Sequence, residues 1–306
     1  MDKNRNKKLL TFAASAGLLL VTVIWGAAFA VVKNSLDYVP PIYMMAFRFT
    51  IAGVVMSLVF IKKLIRIKKE EFIHGVGIGV FLFLAYAFQT IGCNYTTAGK
   101  NAFLTTIYVI LVPFLNWILI KRRPDIFSVI AAVLSITGIG LLSLEGTGSD
   151  LSMNKGDVLT LICGFCYALQ IIFIAQWSQN DDPVILAILQ IIVAALLSWI
   201  TAPFIDGDMK WSVLGNKDVI LSMLYLGLLS TMVAFALQTI CQKYLAPSLA
   251  ALLMSFEAVF GALSGVIFLG EVIPPRGIVG CALMFFAVVL SETKFSFLFK
   301  SRRKNK

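Results

Sequence analysis

Ten stretches of about 20 apolar residues follow one another along the chain, at approximately 9–32, 41–61, 72–94, 101–120, 126–144, 157–177, 184–205, 218–240, 247–269 and 276–297. This pattern constrains the fold more than any other feature. A hydrocarbon core of about 30 Å takes roughly 20 helical residues to cross. Inside it every backbone N–H and C=O must be satisfied by the protein itself, so an apolar run of this length reads as a helix. The breaks carry turn or charge signals: Val39-Pro40-Pro41, Lys121-Arg122-Arg123-Pro124, Glu145-Gly146-Thr147-Gly148, Asp181-Asp182-Pro183 and Pro274-Pro275-Arg276. The loops between are too short for a soluble domain. The expected fold class is an all-α integral membrane protein with about ten transmembrane helices.

Composition agrees. Of 306 residues, 59% are hydrophobic and 14% charged, against about 25% charged in soluble domains. A soluble fold this apolar would expose large sticky patches, so the lipid bilayer is the expected surrounding partner. The net charge of +10 invites a nucleic-acid reading, but the basic residues sit in short runs between the spans and at both ends, as cytoplasmic loops of membrane proteins do. With the N-terminus inside, 19 of the 26 Lys and Arg residues fall on the cytoplasmic side and 6 outside, Arg48 being the remaining one. Both termini are therefore placed in the cytoplasm of a multi-pass cell-membrane protein. The basic start and Ala28-Phe29-Ala30 resemble a cleaved signal. However, the run at 9–32 is long enough to span, and the internal repeat needs that helix.

The repeat is visible as self-similarity. Ala87-Phe88-Gln89-Thr90-Ile91 matches Ala236-Leu237-Gln238-Thr239-Ile240 at an offset of 149, which also pairs Tyr95 with Tyr244, Leu104 with Leu253 and Leu134 with Leu283 without a gap. Earlier in each half the offset is about 142, pairing Pro41 with Pro183 and Arg48 with Gln190. Two five-helix halves, 1–148 and 149–306, are expected. Five is odd, so the second half enters from the other side, and the charges agree: Lys121-Arg122-Arg123 corresponds to Gly270-Glu271-Val272. Inverted repeats mark many secondary transporters, with the site near the midplane between the halves.

Ionisable residues deep in a membrane are costly and mark pathways or pairs. Glu257 lies about ten residues into its helix, near the midplane at 1.5 Å per residue. It reads as a proton-coupling carboxylate, a ligand for a substrate amine, or a structural acceptor for serine and glutamine neighbours. Arg48 lies about seven residues into its helix. With its repeat partner Gln190 it reads as a structural polar post, hydrogen-bonded to backbone carbonyls, the other reading being a holder of an anionic group. Uncharged polar and aromatic residues form helical faces: Tyr86 and Gln89; Asn101, Thr105 and Tyr108; Tyr167 and Gln170; Gln238; and Trp25. Together these are the expected lining of a cavity for a small-molecule substrate; taken singly, each also fits interhelical hydrogen bonding. Gly75-x-x-x-Gly79 and Gly261-x-x-x-Gly265 read as close helix packing. The lone Cys163-x-x-Cys166 reads as a small apolar face rather than a redox pair, and His74 as an interfacial residue. No Gly-rich loop followed by Lys-Ser/Thr is present, so no ATPase and no cofactor are expected, and one histidine leaves little room for nucleophilic catalysis.

The chain also resembles the EamA-type branch of the drug/metabolite transporter superfamily over essentially its whole length. The resemblance rests on Trp25-Gly26-Ala27-Ala28-Phe29, Arg48, Asn101-Ala102-Phe103-Leu104 through Tyr108 and Pro113, Ser255-Phe256-Glu257 through Gly261, and Leu269-Gly270-Glu271. It implies ten helices, a central cavity lined largely by helices 1, 3, 4, 6, 8 and 9, and movement of metabolites. Ala258 stands where the family often has proline, which gives no reason to expect a break in helix 9. Arg122 replaces the first-half helix-end glutamate. The expected function is a secondary transporter of a small organic metabolite, an amino acid or related amphipathic compound; an integral membrane enzyme and a channel or sensor are the alternatives. Monomer and homodimer remain equally open.

Overall fold

The computed structural model describes residues 2–95, 98–121, 123–143, 153–269, 273 and 275–293. The expectations placed on Arg122, on Glu145 to Gly148, on Gly270-Glu271-Val272 and on the basic C-terminal end lie outside the described residues. The first half contains α1 (Asp2–Leu36), α2 (Pro41–Val59), the short α3 (Ile61–Leu64), α4 (Lys69–Cys93), α5 (Ala98–Thr105), α6 (Tyr108–Ile120) and α7 (Ile126–Ser143). The second contains α8 (Lys155–Trp177), α9 (Pro183–Ile205), a 3-10 turn (Trp211–Gly215), α10 (Lys217–Leu224), a π-helical stretch (Tyr225–Val233), α11 (Ala234–Gln242), α12 (Pro247–Met254), α13 (Glu257–Leu269) and α14 (Pro275–Thr293). Among the described residues, eight helical stretches are long and apolar enough to cross a bilayer, and two shorter apolar helices, 126–141 and 275–291, bring the number to ten.

The repeat extends to the helix ends. Moved by 149 residues, α5 and α6 fall on α12 and α13 residue for residue, and the end of α4 falls on the end of α11. Both halves therefore break one helix at the same place, between α5 and α6 at Thr106-Ile107 and between α12 and α13 at Ser255-Phe256. The break in helix 9 corrects the expectation drawn from Ala258, because the device here is not proline. The Thr106 hydroxyl donates to the Phe103 carbonyl at 2.7 Å, and its repeat partner Ser255 donates to the Leu252 carbonyl at 2.8 Å. Each hydroxyl takes a carbonyl one turn back while the backbone tightens to three-residue spacing, as in Val109 N–H to Thr106 O and Ala258 N–H to Ser255 O. Ser and Thr back-bonding of this kind bends helices, and in lipid it keeps the freed groups satisfied.

Glycines set the closest approaches. A Cβ on Gly79 would lie 2.6 Å from Val193 and 3.0 Å from the Gln190 backbone, and one on Gly75 2.5 Å from Leu189, so this pair packs α4 on α9. A Cβ on Gly26 would lie 2.6 Å from the Phe260 backbone and 2.7 Å from the Gly261 nitrogen, so α1 and α13 meet backbone to backbone.

Polar clusters pin the two ends of the bundle. On the face where α1 begins, Lys63 bonds Asp182 at 2.5 Å and the Asp182 N–H donates to Glu71 Oε1 at 3.2 Å. On the same face, His74 Nδ1 lies 2.7 Å from Asp181. His74 is thus more than an interfacial residue: its ring stacks on Trp177 at 4.4 Å. Partial burial works against ionisation of Asp182, but the Lys63 hydrogen bond, the Val184 and Ile185 N–H groups and the Lys63 charge outweigh it, holding this carboxyl below the usual carboxylate value. On the other face, Asp206 Oδ2 accepts from the N–H groups of Ile42 and Tyr43 at 2.6 and 3.0 Å. That caps α2, whose Pro40-Pro41 start offers no capping side chain. Burial still raises the Asp206 carboxyl, against the pull of those two N–H groups.

Two outcomes follow for thermal unfolding in detergent. Gly26→Val should destabilise by roughly 1–3 kcal/mol, the usual cost of overpacking, whereas Gly215→Val, which has nothing within 4 Å of its Cβ position, should be near neutral. Asp182→Ala should cost about 1–2 kcal/mol through loss of the α9 cap and the Lys63 pair. Because the folded carboxyl ionises below its unfolded value, the parent's advantage is complete above the ordinary carboxylate range and disappears as the pH falls through and below it. An advantage that persisted unchanged at strongly acid pH would contradict this account.

Candidate functional site

The broken helices face a central cavity of about 950 Å³, mouth included. The lining contains Val32 and Leu36 from the end of α1, Met44 near the start of α2 and Cys93 at the end of α4. All of these lie toward the face where α1 ends, so the cavity opens there, on what we call the mouth face. It is closed toward the N-terminal face, where α1 begins.

Nine of the ten residues expected to line a cavity do so: Trp25, Tyr86, Gln89, Asn101, Tyr108, Tyr167, Gln170, Gln238 and Glu257. The tenth, Thr105, does not. It is 1% exposed and stands behind the wall, accepting from Gln89 Nε2 at 3.2 Å. Asn101 braces the same wall, donating to the Gln89 carbonyl at 3.1 Å and to Thr160 at 2.9 Å. Gln190 is fully buried. It accepts from Gln170 at 3.0 Å and donates to Thr239 at 3.0 Å, so it holds α8, α9 and α11 together.

Arg48 is buried and hydrogen-bonded within the bundle. Its partners are hydroxyls rather than carbonyls: Nε donates to Thr231 Oγ1 at 2.9 Å and Nη2 to Ser230 Oγ at 3.1 Å. The guanidinium lies over the Tyr86 ring at 5.1 Å, and the residue also lines the cavity. The π-helical stretch supplies both hydroxyls. From the same stretch the Ser230 carbonyl accepts from Trp25 Nε1 at 3.0 Å. Such wide turns recur at functional sites. The matching stretch of the first half, 76–84, is ordinary α-helix, so this feature is not part of the repeat.

Glu257 is the first residue of α13, and its repeat partner Tyr108 is the first residue of α6. Among the described residues the Glu257 carboxylate has no hydrogen-bond or ion-pair partner. The neighbours that would make it a structural acceptor are engaged elsewhere. Ser255 bonds Leu252 and Ser135, the latter at 3.1 Å, and the Gln238 amide bonds Gln170 Oε1 at 3.5 Å and Met254 Sδ at 3.4 Å. The positive end of a helix is a favourable place for the charge.

A chain of aromatic rings surrounds these groups. Trp25 lies 5.4 Å from Phe235, Phe235 6.0 Å from Tyr86, Tyr86 5.8 Å from Tyr167, and Tyr167 6.3 Å from Tyr108. The Trp25–Phe235 and Tyr167–Tyr86 contacts are repeat equivalents, since Trp25 pairs with Tyr167 at 142 and Tyr86 with Phe235 at 149. The chamber therefore offers π-faces, one carboxylate and one guanidinium, a combination suited to a small molecule with an apolar body and charged ends. The sequence reading missed the methionines in the wall, Met44, Met45 and Met254. Their apolar character looks the same whether they face lipid, core or cavity.

Comparison with known proteins agrees with this architecture. The EamA-like transporter family matches residues 13–144 and again 154–293. An uncharacterized transporter of Archaeoglobus fulgidus is 36% identical over 278 residues, covering 90% of this chain and 85% of that protein. The threonine/homoserine exporter RhtA of Escherichia coli is 30% identical over 219 residues, covering 69% of this chain and 68% of the relative. A solved crystal structure superposes with a TM-score of 0.77 at 17% identity over 92% of this chain and 98% of that one, a likeness of fold. The protein, with its two inverted five-helix repeats around a central cavity, belongs to the EamA-like transporter family.

Proposed function

We propose that the chain is a secondary transporter of a small organic metabolite carrying an amino group, an amino acid or a related amphipathic compound, working by alternating access in the cell membrane. The observation that carries this reading is the unpartnered Glu257 carboxylate in an aromatic chamber that also holds Arg48. A solute ammonium seated at Glu257 would gain ion pairing and cation–π contact with the nearby rings. A solute carboxylate would be drawn toward Arg48, the guanidinium in the same chamber. When no solute is bound, the carboxylate takes a proton instead, which couples solute to proton movement. The similarity to RhtA, a threonine/homoserine exporter, supports an amino-acid solute. The distribution of Lys and Arg supports cytoplasmic termini, which turns the mouth outward in this conformation. The halves 1–148 and 149–306 serve as the two repeats of the alternating mechanism.

The experiment is counterflow into proteoliposomes, using a radiolabelled panel that includes L-threonine, L-homoserine and other amino acids beside uncharged and anionic metabolites. At least one amino-bearing solute should exchange saturably without ATP. Saturable exchange confined to solutes without an amino group would overturn the substrate class. Non-saturable passage of many solutes would favour a channel, and no movement at all would remove the transporter reading.

Glu257→Gln should lower exchange at least tenfold, about 1.4 kcal/mol or more in the limiting step, and abolish its response to a pH gradient. It should leave monodispersity and unfolding temperature near the parent's. Near-parent exchange at both limiting and saturating solute would sink the role given to Glu257.

A further inference from the structure

The cavity does not end in a featureless plug. From its floor a line of polar side chains runs toward the N-terminal face. Gln170 and Gln238 line the cavity, and Gln242 lies one turn beyond Gln238. Both Gln238 and Gln242 donate to Met254 Sδ, at 3.4 and 3.7 Å. At the far end, the Gln179 amide donates to the Lys243 carbonyl at 2.8 Å, which brings the ends of α8 and α11 together and with them the adjacent residues Ser178 and Gln242. Along this line three buried oxygens have no partner: Gln238 Oε1, Gln242 Oε1 and Ser178 Oγ. Buried polar groups are nearly always bonded, so three in one line require an explanation.

The repeat supplies it. Taken through the two offsets, the mouth-lining residues Val32, Leu36 and Cys93 become Ile174, Ser178 and Gln242. The first three are partly exposed at the cavity mouth; their partners are 0% exposed. The same parts of the fold are thus open on one face and sealed on the other, and the unpartnered oxygens sit in the sealed copy.

We infer that the Ser178–Gln238–Gln242 line is a second, closed vestibule of the translocation path. It is a site whose oxygens accept hydrogen bonds from water and from the N–H or O–H groups of a passing solute once the N-terminal face opens, and the Gln179–Lys243 contact is its outer seal. This rests on the alternating-access reading and assigns a path and a seal that the cavity itself does not reveal.

Accessibility tests it without any solute. In a background in which Cys93, Cys163, Cys166, Cys241 and Cys281 are replaced by serine or alanine, single cysteines at Leu36 and Gln242 are exposed in sealed vesicles to an impermeant methanethiosulfonate from one face at a time. Leu36→Cys should react from the mouth face. Gln242→Cys should react from the N-terminal face at least tenfold faster than from the mouth face. A second measurement avoids the cysteine-free background. Gln179→Cys with Lys243→Cys, joined by a short bifunctional thiol reagent, should slow deuterium uptake over 238–254 at least tenfold, and reduction should restore it, with 85–93 unchanged. Reaction of Gln242→Cys from the mouth face, or from neither face while Leu36→Cys reacts, would overturn the inference, as would uptake unaffected by the cross-link. Neither readout depends on flux. A protein that passes here and moves no solute loses the transporter reading; one that exchanges solute and fails here loses only this vestibule.

Discussion

A bilayer offers no hydrogen bonds to a backbone that leaves the helix, and this one constraint shapes the site. A transport cavity needs polar groups and helix ends at the midplane, where a broken helix is costly unless its freed carbonyls are taken up. Thr106 and Ser255 do this with their own hydroxyls, on Phe103 and Leu252. The consequence is that α6 and α13 each begin at the cavity, with Tyr108 and Glu257 as their first residues. The carboxylate is tolerable at that depth because it sits at the positive end of a helix and beside a chamber wide enough to admit a ligand or water.

The halves share a scaffold and differ in chemistry at the few positions that matter. Gln89 reaches Thr105 in the first half, and Gln238 reaches Met254, its equivalent, in the second. Thr90 bonds the Tyr86 carbonyl as Thr239 bonds that of Phe235. Against this matched frame, Arg48 faces Gln190 and Tyr108 faces Glu257 as repeat partners. Strict symmetry would place two carboxylates, or two guanidiniums, in one low-dielectric chamber, where like charges repel strongly. One charge of each sign, one from each half, avoids that repulsion and gives the chamber a polarity that can orient a dipolar solute.

Most of this frame was legible because it depends on periodicity. Span length follows from bilayer thickness, inversion from an odd helix count, and the lining from aromatic and polar residues recurring at helical spacing. What was not legible depends on local geometry. The break in helix 9 was hidden because the sequence signal sought was proline, and a serine inside an apolar run reads equally well as interhelical contact. Thr105 shares a helical face with Asn101 and Tyr108, but the Gln89 side chain, which donates to it, stands between it and the cavity, and such a neighbour on another helix leaves no trace in helical spacing. That Arg48 is a hydrogen-bonded post is legible from its depth in the helix; the identity of its partners is not. Those partners are the adjacent pair Ser230-Thr231 in an apolar helix, whose meaning emerges only once the π-helical stretch brings both hydroxyls to the guanidinium.

The same symmetry bears on the energetics of the two faces. A sealed face that satisfied every buried group would be a deep minimum, slow to open. Here the seal leaves three oxygens idle, each carrying a desolvation penalty of about 1–3 kcal/mol. Polar contacts on the same face are Lys63 with Asp182, His74 with Asp181, and Gln179 with the Lys243 carbonyl. The exposed Lys63–Asp182 pair contributes about 1 kcal/mol or less. The three desolvation penalties sum to roughly 3–9 kcal/mol and are relieved when the face opens to water, so opening costs less than it would from a fully satisfied seal. A bound solute, through its differential affinity for the two forms, then has less to overcome in deciding which one is populated.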